Sequence, residues 1–322
     1  VMDVHMLVNT GQSLSSLLRQ AQEVRRRNFP AAVQFDRPLA TRAVSVTGRH
    51  CALNCAHCGG HFLRGMLSPA ELENALAGRA AGTQNAAGGH GPEPPAGGPA
   101  AAGWRSLLVS GGCDRQGRVP VTEHPALLAE WKQNFRMNFH PGLVDEETAR
   151  VIGQYADAVS FDFIIDDETI REVLGLDKTG ADYIRSYRAL RRHARVYPHL
   201  VIGLRGGGLA GEYDALEALR ELGVDGLVLI VFFPVAGTRY AGRRPPDIEE
   251  AAAFIATARI MFPQMPLYLG CMRPRGRYRA QLDVLALQAG VNKIVLPARP
   301  AVEYARESGW RVDYGEECCV LS

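Results

Sequence analysis

Strand-like and helix-like patterns alternate along most of this chain, and that alternation limits the fold more than any other feature. Short apolar runs at Ala43–Ser45, Ser106–Ser110, Phe135–Phe139, Ala158–Phe163, His199–Leu204, Gly226–Phe232, Pro266–Gly270 and Lys293–Leu296 read as eight strands. Stretches of helical period separate them, beginning at Ser68 and continuing near 123–133, 145–154, 181–193, 212–222, 247–261 and 276–289. Strands joined through helices lie parallel in one sheet. Eight such units predict an α/β fold, a complete or nearly complete (β/α) barrel of the TIM type, with its site at the C-terminal ends of the strands.

The flanks complete the expected organisation. Residues 13–28 form an amphipathic helix pattern within a helical extension over 1–40, ahead of a barrel over 41–297. From 78 to 103 the composition falls to Gly, Ala and Pro, which cannot bury enough apolar surface to order, so a flexible insertion is expected there. A tail over 298–322 carries adjacent cysteines and is expected to fold over the barrel mouth.

Composition narrows the function classes. Hydrophobic residues make up 47% of the 322 and formal net charge is +2, so a core is affordable and no nucleic-acid partner is indicated. Arg25-Arg26-Arg27 and Arg191-Arg192 read as solvated faces. No apolar run approaches the ~20 residues of a membrane span, and the N-terminus lacks the order of a signal peptide, so a cytoplasmic protein is expected. In that compartment the seven cysteines serve metals or catalysis rather than disulfides.

Three of them stand in Cys51-Ala52-Leu53-Asn54-Cys55-Ala56-His57-Cys58, directly after the first strand. Three thiolates within eight residues can hold a 4Fe–4S cluster and leave one iron open to a chelating ligand. Zinc completed by His57 or His61 is the rival, but structural zinc takes four protein ligands, usually in two separated pairs.

The Cys-x3-Cys-x2-Cys spacing and its position resemble the radical S-adenosylmethionine (SAM) superfamily. The resemblance implies that SAM chelates the open iron and is cleaved reductively to methionine and a 5′-deoxyadenosyl radical. It places His57 near the adenine, where a solvated loop histidine is the other reading. Ser110-Gly111-Gly112 resembles the segment that binds the SAM amino group, with Cys113 where an acid is usual; a plain turn is its bland alternative. Val201–Glu212, glycine-rich after a strand, resembles the SAM-contacting loop and offers Gly203, Arg205 and Glu212. A phosphate loop is its rival, but no Gly-Lys-Ser/Thr follows. Asp162, ending a strand, is a candidate for the ribose or a structural rim carboxylate.

The last strands, through Val231–Gly242 and Leu267–Val295, resemble those of biotin synthase and its relatives, and the chain as a whole resembles a biotin synthase/lipoyl synthase-like group that includes components of a two-protein lipoyl synthase. That group implies an auxiliary cluster as sulfur source, here from Cys113, Cys271, Cys318 and Cys319; each alone also reads as a buried inert thiol. Arg273 and Arg275 are candidates to lower a thiolate pKa or bind an anion, or are rim charges. The N-terminal cysteine motif and the Arg-Ser-Ser-Tyr of ordinary lipoyl synthase are absent. The expected activity is sulfur insertion into an octanoyl-type chain, free or attached to a carrier protein. Ferredoxin or flavodoxin would donate the electron, and a partner radical SAM subunit would share the work. The alternative is a methyl-transfer or carbon-skeleton step in cofactor assembly.

Overall fold

A computed structural model describes residues 12–80 and 103–321. Helix α1 (Leu14–Asn28) begins where the Ser13 hydroxyl accepts from the Ser16 N–H, and it turns Leu17, Leu18 and Ala21 inward. Strand β1 (Ala32–Asp36) and strand β2 (Thr41–Ser45) follow. The chain then runs through α2 (Pro69–Ala80), β3 (Ser106–Ser110), α3 (Pro125–Asn134), β4 (Arg136–Phe139), α4 (Glu146–Tyr155) and β5 (Ala158–Asp162). It continues with α5 (Gly180–His193), β6 (Val196–Ile202), α6 (Glu212–Leu222), β7 (Leu227–Val231), α7 (Ile248–Met261) and β8 (Leu267–Leu269). Helix α8 (Arg277–Gln288), β9 (Lys293–Val295), α9 (Arg299–Glu307) and β10 (Arg311–Gly315) complete it.

Among the described residues the ten strands are all parallel, in the order β10-β1-β9-β8-β7-β6-β5-β4-β3-β2. The sheet curls into a partial (β/α) barrel with the helices outside. One core fills the space between the layers, from Leu107, Phe139 and Phe161 on the strands to Leu216, Phe254 and Leu282 on the helices. The eight expected strands are present. Two more, β1 and β10, extend the sheet past β9. Its two edges meet without a ladder: the Ala40 N–H donates to the Glu316 carbonyl at 2.8 Å, so the end of β10 touches the start of β2.

That contact corrects the expectation for the tail. It lies not over the mouth but under the opposite end of the barrel. The Cys318 N–H donates to Thr41 Oγ1 at 2.7 Å, and Glu317 pairs with Arg136 at 2.9 Å, both at the first residues of their strands. Val320 and Leu321 pack with Ala158, Tyr197 and Val228 near the starts of β5, β6 and β7. Lys293, paired with Asp36 at 3.2 Å inside the barrel, also donates to the Cys319 carbonyl at 3.0 Å. Apolar burial and these bonds make the tail the floor of the lumen.

Arg25 is a second correction. Arg26 and Arg27 are exposed and pair with Glu23. Arg25 instead is only 1% exposed, lies over the Trp310 ring and donates to the carbonyls of Val291, Pro30 and Ala32. The expected insertion falls almost entirely on residues outside those described, apart from the end of α2. Among the described residues no helix is long and apolar enough to cross a membrane.

Candidate active site

The cysteine loop leaves β2 and is tied down on three sides. The Ala52 N–H donates to the Cys113 carbonyl at 2.8 Å. Ala56 N–H donates to the Val173 carbonyl at 2.6 Å, and its own carbonyl accepts from the Tyr240 N–H at 2.9 Å. Ala56 is fully buried with Val173, Leu204, Phe232 and Tyr240, so an apolar plug joins the loop to the ends of β6 and β7. Gly59 and Gly60 follow the third cysteine at φ 49° and 74°, which returns the chain sharply after Cys58.

Cys55 and Cys58 share a hydrogen bond between their thiols. That bond lowers the pKa of Cys58 and raises that of Cys55, whose burial and the nearby Cys58, Cys113 and Cys51 act in the same direction. Cys55 and Cys58 are therefore close-set, and of the two Cys58 is the readier to ionise. Among the described residues no three His, Cys, Asp or Glu side chains converge on one point as a single ion requires. A cubane offers separate irons to separate thiolates and does not need that convergence. Zinc completed by a histidine finds no support in the loop, since His61 is exposed at the start of a short 3-10 helix. His57 Nδ1 is buried with no hydrogen-bond partner among the described residues, an orphaned polar atom at the rim of the same site. Its pKa is lowered by burial, against the pull of Asp162. Donor chemistry and orphan both fit a cluster with a polar ligand beside it.

The segment after β3 supports the loop from below. Ser110 Oγ donates to the His140 carbonyl at 2.9 Å, and the Gly112 N–H donates to Thr47 Oγ1 at 2.7 Å. Thr47 in turn donates to the His50 carbonyl at 2.9 Å. A Cβ on Gly112 would stand 1.9 Å from that carbonyl oxygen and 2.6 Å from Cys51 Cα. Gly111 is looser, with Thr47 Oγ1 at 3.0 Å. Cys113 lies with this loop: its pKa is raised to about 12 by burial, then by Cys51, Asp162 and Asp114.

Asp162 ends β5 and faces the lumen. Its carboxylate meets His140 Nε2 at 3.3 Å, and the His140 ring stacks on His199 at 5.9 Å between centroids. Burial works against its charge, yet His140, His199 and His57 together hold its pKa at about 2. Burial also opposes the charge on His140, but the Asp162 field and hydrogen bond outweigh it and raise the pKa. The two halves of the pair act over opposite ranges. The depressed Asp162 stabilises the fold above its unfolded pKa and loses that contribution as pH falls toward about 2. The raised His140 contributes fully below its unfolded pKa and loses it as pH rises through its folded value. Their joint contribution is fullest between roughly pH 4 and 6.5. Replacing Asp162 by Asn should drop the His140 pKa below an ordinary histidine's, because burial then acts alone; NMR of labelled histidine reads it directly. An unmoved His140 would show that the pair is not coupled.

The glycine-rich loop after β6 is built differently from expectation. Glu212 is buried and turned onto its own loop, accepting from the N–H groups of Gly203 at 2.9 Å and Ala210, with its pKa raised by burial. Gly203 takes φ 74° to make that turn. Arg205 is held between Glu168 and Glu172 at 2.5 and 2.7 Å, and Glu172 also accepts from the Tyr240 hydroxyl at 2.6 Å. These groups fasten the loop to the apolar plug around Ala56. Arg273 is likewise structural rather than a rim charge, fully buried on Asp283.

Sequence reasoning missed His140 and His199. His199 lies in β6 and His140 directly after β4, and only the pairing of β4, β5 and β6 shows that they face Asp162 and each other. It also grouped Cys113 with Cys271, Cys318 and Cys319, and the structure does not. Cys271 has Arg273, Cys318 and Arg279 about it, and Cys319 has Cys318 and Cys271. Cys113 lies by the loop with Cys51, Cys55 and Cys58; Cys318 and Cys319 lie at the floor, and Cys271 follows the end of β8 within electrostatic reach of both.

No family model and no curated protein matches this sequence. Solved structures do. Methylornithine synthase (PylB) superposes with a TM-score of 0.64 at 16% identity, over 96% of this chain and 92% of that one. HydG, a maturase of the FeFe-hydrogenase, superposes at 0.62 and 13% identity over 91% of this chain, which spans 63% of that one. HydG from Carboxydothermus hydrogenoformans gives 0.60 and 13%, over 96% and 74%. At such identities the likeness establishes the fold: this chain adopts the partial (β/α) barrel of those proteins.

Proposed function

We propose that this chain is a radical SAM enzyme, and the observation that carries the reading is the cysteine loop itself. Cys51, Cys55 and Cys58 would hold a 4Fe–4S cluster at the mouth of the barrel, and the group would supply the electron that cleaves SAM. Around it this chain's own residues have definable work. Thr47 and Gly112 fix the loop backbone, and the Ala56 plug excludes water behind it. His57 Nδ1 offers a buried polar contact to the bound nucleoside. Asp162, kept ionised, and His140, whose protonated form that carboxylate favours, present a polar pair to whatever occupies the lumen. Cys113 belongs beside this cluster rather than to a second one. A ferredoxin- or flavodoxin-type donor would supply the electron.

For the output we favour sulfur insertion into an unactivated carbon, in the manner of lipoyl or biotin synthase. Support comes from Cys318 and Cys319 at the floor of the lumen and Cys271 past the end of β8, which act on one another's charge and would hold a second cluster as sulfur source. An octanoyl-type chain on a carrier, with a partner subunit, fits that chemistry. A carbon-skeleton or methyl-transfer step is the second reading, favoured by the likeness to methylornithine synthase over nearly the whole of both chains. Iron and sulfide content after anaerobic reconstitution separates them. About eight irons per chain, falling to about four in a Cys51/Cys55/Cys58→Ala variant, is expected for two clusters. About four falling to none would leave one cluster, and sulfur insertion would lose its donor.

A further inference from the structure

The floor of the lumen holds one more metal-ligating group than the sequence suggested. His199, at the middle of β6, is buried, and its Nε2 lies 4.0 Å from Cys319 Sγ. Its Nδ1 stands 3.0 Å from the Tyr197 carbonyl, an acceptor only, so Nδ1 carries the proton and donates. The lone pair of Nε2 is thereby turned to the sulfur side. A histidine fixed in one tautomer by a backbone carbonyl is how metal-ligating imidazoles are commonly oriented.

The sulfurs beside it are set in polar rather than apolar company. Asn138 Nδ2 donates to Cys318 Sγ at 3.3 Å, and Asn138 is itself fixed by Ser160 at 2.9 Å. The Leu321 N–H closes a turn onto the Cys318 carbonyl at 2.9 Å, which fixes the backbone that carries this sulfur. Cys271 is the third: it is exposed just past the end of β8, close enough to Cys318 and Cys319 for each to act on the other's charge. An inert buried thiol would need no donor such as Asn138. The tail that brings two of them here is pinned by Lys293, Thr41 and Arg136, which fixes the adjacent pair in position.

We propose that His199 Nε2 completes the ligand set of the second iron–sulfur cluster, with Cys271, Cys318 and Cys319, in the place that the sequence had given to Cys113. The inference rests on the second-cluster reading above. Imidazole in place of thiolate raises the potential of an iron–sulfur centre, so this cluster would be the more readily reduced of the two.

The test uses full-length chain labelled with ¹⁵N-histidine, reconstituted with iron and sulfide, both wild type and the Cys51/Cys55/Cys58→Ala variant. Pulsed EPR of the reduced protein should show strongly coupled ¹⁵N in both. His199→Cys should keep the iron, lose the nitrogen coupling and shift the floor cluster to lower potential. Iron in the triple variant without nitrogen coupling, or coupling unchanged in His199→Cys, would overturn the ligand assignment and leave the second cluster standing. No second cluster by iron count and Mössbauer spectra in the wild type would overturn both. The wild-type arm answers even where the triple variant does not fold.

Discussion

Gly112→Ala is expected to reduce SAM cleavage by about 100-fold, the cost of moving reacting groups by roughly an ångström. The added methyl would sit 1.9 Å from the His50 carbonyl oxygen and 2.7 Å from Cys51 Cβ. Two of the three obstacles are backbone, which cannot swing aside as a side chain does. The loop must lift, and with it go the Thr47 bonds to Gly112 and His50 and the position of the first thiolate. Gly111→Ala is the control. Its Cβ would meet a hydroxyl and a valine methyl at 3.0 Å, so a milder loss is expected. Formation of 5′-deoxyadenosine under dithionite measures both. Equal activity of Gly112→Ala and wild type would mean that the loop position is not held from this side.

Arg273→Leu should destabilise the fold by about 3–5 kcal/mol, the typical result of removing one partner from a buried ion pair. Arg273 and Asp283 are both 0% exposed and joined at 2.7 and 2.8 Å. The guanidinium also donates to the carbonyls of Gly270, Val295 and Leu296, stitching the ends of β8 and β9 together. Leu296 holds φ 51°, unfavourable for a side chain of its size, and Arg273 fastens its carbonyl. Loss of the arginine strands a carboxylate whose other bond is to the Ala298 N–H. The double variant Arg273→Leu/Asp283→Leu should therefore be less destabilised than Arg273→Leu alone. Urea unfolding midpoints decide it, and a single variant within 1 kcal/mol of wild type would contradict the assignment.

Much of this architecture was legible because its signals are local. Eight apolar runs separated by helical periods define a parallel barrel, and the cysteine spacing marks its first loop. Strand β6 starts three residues before its expected boundary because Pro198, which cannot donate to the ladder, pairs within it opposite Phe161. Strands β1 and β10 are five residues each and half exposed in places, and their sequences AVQFD and RVDYG carry only two or three alternations. Neither would stand alone: β1 is a strand because β9 and β10 flank it, and β10 because β1 offers it a partner.

The site divides in the same way. Cys51, Cys55 and Cys58 are close in sequence and close in space. The place of Cys113 depends on which way the chain turns after Gly112, and its carbonyl, bound to the Ala52 N–H, holds it beside the cysteine loop. The tail's place depends on the closure of the sheet: β10 ends beside the start of β2, which sends the next residues under the barrel. His140 and His199 come from strands β4 and β6, far apart in sequence, and no spacing links them. Arg25 resembles its exposed neighbours until the carbonyls of Pro30 and Val291 are seen around it. Long-range placement, not residue chemistry, was the missing information.

The most direct measurement is 5′-deoxyadenosine released from SAM by the anaerobically reconstituted chain under dithionite, beside a Cys58→Ala variant of matched fold. A radical SAM enzyme should form the nucleoside in the wild type and none above background in the variant. A wild-type chain that binds iron at Cys51, Cys55 and Cys58 yet never cleaves SAM would contradict it.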